Sequence, residues 1–111
     1  MSAVTTHVLD TALGRPAAGV RVRLERLDAA SPALLATGVT DTDGRITELG
    51  PDHLESACHR LVFDVAAYAS ATGQDYFLTA VDISFSPTGG RAHYHVPLLL
   101  SPFACTAYRG S

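Results

Sequence analysis

Two histidines stand two residues apart in the segment Arg91-Ala92-His93-Tyr94-His95-Val96. On an extended chain that spacing sends both imidazoles, with Arg91, from one face. Imidazole titrates near neutral pH, so such a pair can take and return protons, or ligate a metal. The plain alternative is the solvated face of an outer strand, and spacing alone does not separate the two. A metal would need a third ligand such as His7, and no His-rich run or cysteine pair supports one. His7 lies in Thr5-Thr6-His7-Val8-Leu9, where a lone histidine serves equally as a structural hydrogen-bonder. Arg45 follows Asp43-Gly44 directly, at the start of a strand. Its guanidinium is a planar, permanently charged fork suited to amides and carboxylates, or it is ordinary surface charge. The last residues, Tyr108-Arg109-Gly110-Ser111, group a phenol, a second fork and a hydroxyl around a glycine. His53 falls in a polar loop and His59 at a strand start, and nothing recommends either for chemistry. No serine-hydrolase elbow, phosphate loop or dinucleotide fingerprint occurs.

The elements that must position these side chains show the period-two alternation of strands. Val20, Val22 and Leu24 alternate with Arg21, Arg23 and Glu25. Leu61, Phe63 and Val65 share a face, as do Val81, Ile83 and Phe85. Tyr94, Val96 and Leu98 oppose His93, His95 and Pro97 in a strand expected over 91–98. Further strands are expected over 4–10, 34–40, 45–47 and 103–109. Turn chemistry separates them: Leu13-Gly14-Arg15-Pro16, Asp41-Thr42-Asp43-Gly44 with an Asp-Gly hairpin signal, and Pro87-Thr88-Gly89-Gly90. Only Ala66 to Ala71 prefers a helix, with Gly73 placed to end it. About eight short strands with regular turns describe an all-β sandwich with one short α-helix.

Composition bounds the rest. The chain has 111 residues, 47% hydrophobic and 17% charged, with a formal net charge of −3. That suits one domain spanning 1–111 and excludes disorder. All eight basic residues are Arg, and a net acidic chain without a basic cluster is a poor binder of nucleic acid or a membrane surface. Cys58 and Cys105 do not make a disulfide framework and read as buried free thiols of a reducing compartment. The segment MSAVTTHVLD lacks the basic region of a signal peptide, and the apolar run Val96 to Leu100 is far too short to span a bilayer. Cytoplasm is the default location.

Taken in order, THVLD, GRPA with a following GV, the TDGR turn, the ATGQDYF segment, HYHVPLLLSP and the terminal YRGS resemble the transthyretin-like family, in its hydroxyisourate hydrolase branch. The resemblance covers essentially the whole chain. Thr106-Ala107 stands where the family usually has Ser-Thr before the terminal tetrapeptide. The resemblance implies two four-stranded sheets and a homotetramer, a dimer of dimers, with active sites between subunits. It implies hydrolysis of hydroxyisourate, the product of urate oxidase, with no metal or organic cofactor. Catalytic residues carry over onto His7, Arg45, His95 and Ser111, and substrate-binding residues onto Tyr108, Arg109 and Gly110; His93 lies beside the pattern.

These residue types suit that chemistry. Ring opening by water needs a base, a proton for the leaving nitrogen and a partner for the oxyanion. His95, or His7 with His95, can activate water. Arg45 and Arg109 match ring carbonyls and delocalised negative charge. Ser111 is a hydrogen-bonding residue rather than a nucleophile, since no acyl-enzyme motif surrounds it. Two other readings compete: a carrier of a small aromatic ligand, and a structural interaction domain. A carrier has no use for two His and two Arg converging on one site, and in an interaction domain His7, Arg45, His95 and Ser111 would be scattered.

Overall fold

The computed structural model describes residues 2–28, 30–87 and 91–111. Nine strands and one helix follow in the order β1 (Val4–Asp10), β2 (Arg15–Pro16), β3 (Arg21–Arg26), β4 (Ala33–Val39), β5 (Arg45–Leu49), β6 (His59–Asp64), α1 (Val65–Ala71), β7 (Ala80–Phe85), β8 (Tyr94–Leu100) and β9 (Cys105–Ala107). One sheet runs β4-β3-β6-β7, and the other runs β2-β1-β8-β9 with β5 also on β1. The second sheet is four strands wide, because β5 pairs with Val4 to His7 and β2 with Leu9 and Asp10 along the same edge of β1. The expected two-sheet sandwich is present, but the second sheet has five strands rather than four, since β2 and β5 are separate strands on one edge of β1.

Each sheet turns its apolar alternation inward. Val4 and Val8 of β1, Val22 and Leu24 of β3, Leu61 and Phe63 of β6, and Leu98 and Leu100 of β8 are fully buried in one cluster. Each such side chain contributes about 1.5–3 kcal/mol by leaving water. Leu98 and Leu100 therefore belong to the core, and only Leu99 of that run faces outward.

Helix α1 is held at both ends. The Asp64 carboxylate accepts from the Ala67 amide at 3.3 Å, and Gly73 follows the Thr72 cap at φ +67°. Its buried Tyr68 donates a 2.6 Å hydrogen bond to Asp10 at the end of β1. Gln74 and the amides of Ala12 and Leu13 also donate to Asp10. Burial is the largest influence on this carboxyl and acts to raise its pKa, but the donors together hold it below its ordinary value.

Several sequence expectations are corrected. The Asp41–Gly44 turn is a corner between sheets rather than a hairpin, since β4 pairs with β3 and β5 with β1. The strand expected over 91–98 begins at Tyr94, so His93 precedes it, and the one expected over 103–109 contracts to Cys105–Ala107. Cys58 and Cys105 are free but exposed, not buried, because Cys58 precedes β6 and Cys105 lies on the edge strand β9. Of the turn at Pro87-Thr88-Gly89-Gly90, residues 88–90 lie outside the described residues. No helix among the described residues is long and apolar enough to cross a membrane.

Candidate active site

The site forms on the outward face of the β1–β8 pair. On β1, Val4, Thr6, Val8 and Asp10 point into the sandwich, which leaves Thr5, His7 and Leu9 half-buried on the other face. Strand β8 runs parallel to β1 with Thr5 opposite His95, and β5 runs antiparallel on the other side with His7 opposite Arg45. Residues some ninety positions apart in sequence thus share one face.

Gly44 sets where β5 begins. It adopts φ +75°, which L side chains rarely adopt, and its carbonyl accepts the Val8 amide at 2.7 Å. A Cβ at this position would collide with the Val8 carbonyl oxygen. The Asp41 carboxylate accepts the amides of Asp43 and Arg45, both at 2.9 Å. Arg45 is therefore fixed at its backbone, while its guanidinium pairs with no carboxylate among the described residues. Arg60, by contrast, puts two nitrogens on Glu25 Oε1 at 2.8 and 2.7 Å.

The C-terminal tail continues the antiparallel register of β9 along β8. Leu98 pairs with Ala107, the Tyr108 amide donates to the Pro97 carbonyl at 3.4 Å, and the Gly110 amide donates to the His95 carbonyl at 2.7 Å. Gly110 makes an isolated bridge with His95, and that bridge carries Ser111 to the site.

The result is a concavity of about 450 Å³ lined by Thr5, Arg45, Thr47, His93, His95 and Ser111, among others. Thr5 Oγ1 lies 2.8 Å from His95 Nδ1 and 2.9 Å from His93 Nε2. Burial, then the charges of Arg45, His93 and His7, hold the His95 pKa below its ordinary 6.5; a hydrogen bond to the Thr5 backbone opposes them. His95 is consequently a neutral imidazole at pH 7. Such a site combines a half-buried neutral base with a hydroxyl and a guanidinium that pairs with no carboxylate among the described residues. That set can deprotonate water and hold a developing oxyanion.

Of the residues singled out in the sequence, Arg45, His95 and Ser111 meet in this concavity. His7 shares the face and sits opposite Arg45, just outside the lining. Tyr108 and Arg109 instead line a separate hollow of about 200 Å³ with Phe85, Tyr94 and Val96, where β7 of one sheet faces β8 of the other. Gly110 stands between the two. Among the described residues no group of three His, Cys, Asp or Glu side chains is placed to hold a metal. Sequence reasoning missed Thr5. Its only signal was a hydroxyl two residues before His7, on the same strand face.

The HIUase/Transthyretin family profile matches residues 4–110. The chain belongs to this family. A 5-hydroxyisourate hydrolase of Mus musculus is 43% identical over 113 residues, covering 99% of this chain and 96% of its own. The solved 5-hydroxyisourate hydrolase of Klebsiella pneumoniae superposes with a TM-score of 0.88 at 34% identity, over 100% of both chains. Sea bream transthyretin in complex with thyroxine superposes with a TM-score of 0.90 at 30% identity, over 97% of this chain and 94% of its own. The HIUase/Transthyretin fold thus holds proteins named for hydrolysis and a protein solved in complex with thyroxine. The backbone does not choose between them; the side chains that line the site must.

Proposed function

We propose that this chain hydrolyses 5-hydroxyisourate, opening its six-membered ring to 2-oxo-4-hydroxy-4-carboxy-5-ureidoimidazoline in the breakdown of urate. The observation that carries this reading is the meeting of Arg45, neutral His95 and Ser111 in one concavity. A carrier of apolar ligands gains nothing from that lining, and an interaction domain would scatter it.

In this reading His95 donates its Nδ1 proton to Thr5 Oγ1, which leaves the Nε2 lone pair to take a proton from water. The hydroxide oxygen bonds to the ring amide carbon, and Arg45 holds the oxyanion that forms. The proton returns to the ring nitrogen as the carbon–nitrogen bond breaks. Ser111 orients the substrate by hydrogen bonding. His7, beside Arg45, adds to the positive field that keeps His95 neutral. The chain's own groups supply the base, the acid and the oxyanion partner, so no cofactor is invoked.

We further assign Tyr108, Arg109 and Gly110 to substrate binding in a site completed by a second copy of the chain. A homotetramer, built as a dimer of dimers, would cover exposed apolar surface: Phe77, Phe103 and Tyr108 are 75%, 77% and 55% exposed. A single domain over 1–111 working in the cytoplasm fits the one core and the two free cysteines. The test is direct. Urate oxidase acting on urate generates the substrate, and ultraviolet absorbance follows its decay. Acceleration above the spontaneous rate is expected; an unchanged rate overturns the enzyme reading.

A further inference from the structure

One hydroxyl lies between two imidazoles. Thr5 Oγ1 reaches His95 Nδ1 at 2.8 Å and His93 Nε2 at 2.9 Å, and the two rings stack with centroids 6.4 Å apart and planes 25° apart. A threonine hydroxyl has one proton to donate, so it keeps both bonds only by donating to one ring and accepting from the other. The tautomers of His93 and His95 are therefore coupled. When His95 Nδ1–H donates to Thr5 and Thr5 donates to His93 Nε2, the His95 Nε2 lone pair is free to act as a base. When the direction reverses, His95 Nε2 carries the proton and acts as an acid.

Resting on the hydrolase reading of this site, we infer that Thr5 is a positioning residue that relays protons between His95 and His93. As the water oxygen bonds to the ring carbonyl carbon, a water proton passes to His95 Nε2. The Nδ1 proton of His95 moves to Thr5 Oγ1, and the original Thr5 proton moves to His93 Nε2. His95 is then neutral with its proton on Nε2, and His93 is an imidazolium. When the carbon–nitrogen bond breaks, the His95 Nε2 proton goes to the ring nitrogen. His93 returns a proton through Thr5 to His95 Nδ1, which restores the starting arrangement.

The charges around the two rings favour this path. His95 is half-buried and faces Arg45 from β5 and His7 from β1, so a positive charge there is penalised. His93 lies outside β8 and is exposed, where water solvates an imidazolium. The relay lets the base work without holding the charge itself.

The test compares full-length wild type with Thr5→Val, Thr5→Ser, His93→Gln and the double variant Thr5→Val/His93→Gln. Thr5→Val is expected to lower kcat about tenfold or more with KM little changed, because proton transfer, not binding, is impaired. Thr5→Ser, which keeps the hydroxyl, should restore most of kcat. The double variant should be no slower than the slower single one, since both break the same path. Nitrogen-15 NMR of the histidine rings supplies a readout that needs no turnover. His95 should be protonated on Nδ1 in wild type and Thr5→Ser, and should populate both tautomers in Thr5→Val. The relay is overturned by wild-type kcat in Thr5→Val, by losses that add in the double variant, or by a His95 tautomer that ignores Thr5. Wild type that leaves hydroxyisourate decay unaccelerated overturns the hydrolase reading instead, and the NMR comparison still decides the coupling.

Discussion

The Gly110 amide is bound to the His95 carbonyl at 2.7 Å, and a Cβ on Gly110 would come within 2.7 Å of His95 Cδ2. Backbone pairing and ring packing therefore meet at the same two residues. Gly110→Ala is expected to displace the imidazole and lower kcat by about tenfold to a hundredfold, since misplacing a catalytic group by about 1 Å can cost about a hundredfold. The melting temperature should stay within a few degrees of wild type, because the tail lies outside the core. Ultraviolet decay kinetics with a thermal melt check both parts.

The tail beyond Tyr108 is held chiefly by that one bridge, while the core lies in β1, β3, β6 and β8. Deleting Arg109 to Ser111 should therefore remove hydrolysis and leave circular dichroism and the unfolding transition intact. Full activity in the truncated protein would show that the tail only packs.

His95 must be neutral to accept a proton, and burial first, then Arg45, holds its pKa below 6.5. Activity is therefore lost as pH falls through that lowered value, so the acid limb of the profile lies below pH 6.5. Arg45→Met relieves one of the causes, the His95 pKa rises, and the limb moves to higher pH. The same variant loses an oxyanion partner, worth about 10²–10³ in kcat. His95→Ala should abolish hydrolysis across the whole profile while size-exclusion chromatography shows an unchanged assembly.

Away from the site, Tyr68→Phe leaves buried Asp10 one donor short and should cost about 1–3 kcal/mol in denaturant unfolding. Because the folded Asp10 pKa is lowered, its contribution to stability is present above the ordinary carboxylate pKa and is lost as pH falls through the folded value. Removing the Tyr68 hydrogen bond raises that folded value, so acid unfolding should begin at higher pH. The rate at neutral pH should be unaffected, since neither residue touches the concavity.

Much of the fold was legible because strand alternation is local. Val22 and Leu24 against Arg21 and Arg23, or Leu61, Phe63 and Val65 with Asp64 opposing them, declare an inner face without reference to any partner. The Asp41–Gly44 corner shows the limit. Asp-Gly announces positive φ at Gly44, which is correct, but whether the next strand returns to its neighbour or crosses to the other sheet depends on what Gly44 packs against. That is the Val8 backbone. The cysteines were misjudged for a related reason, since residue type sets an average burial and strand position sets the actual one.

Composition and strand alternation were enough to predict a small acidic all-β domain, and the motif order pointed to Arg45, His95 and Ser111 as residues to locate. That they meet depends on folding, because β1 pairs with β8 on one side and β5 on the other, and the His95–Gly110 bridge brings in the tail. Folding also decided the split of the terminal tetrapeptide, with Ser111 at the concavity and Tyr108 and Arg109 at the neighbouring hollow. Thr5 owes its role wholly to that pairing. A hydroxyl becomes a link between two imidazoles only when register sets it opposite His95, and register is a property of the folded sheet rather than of either strand.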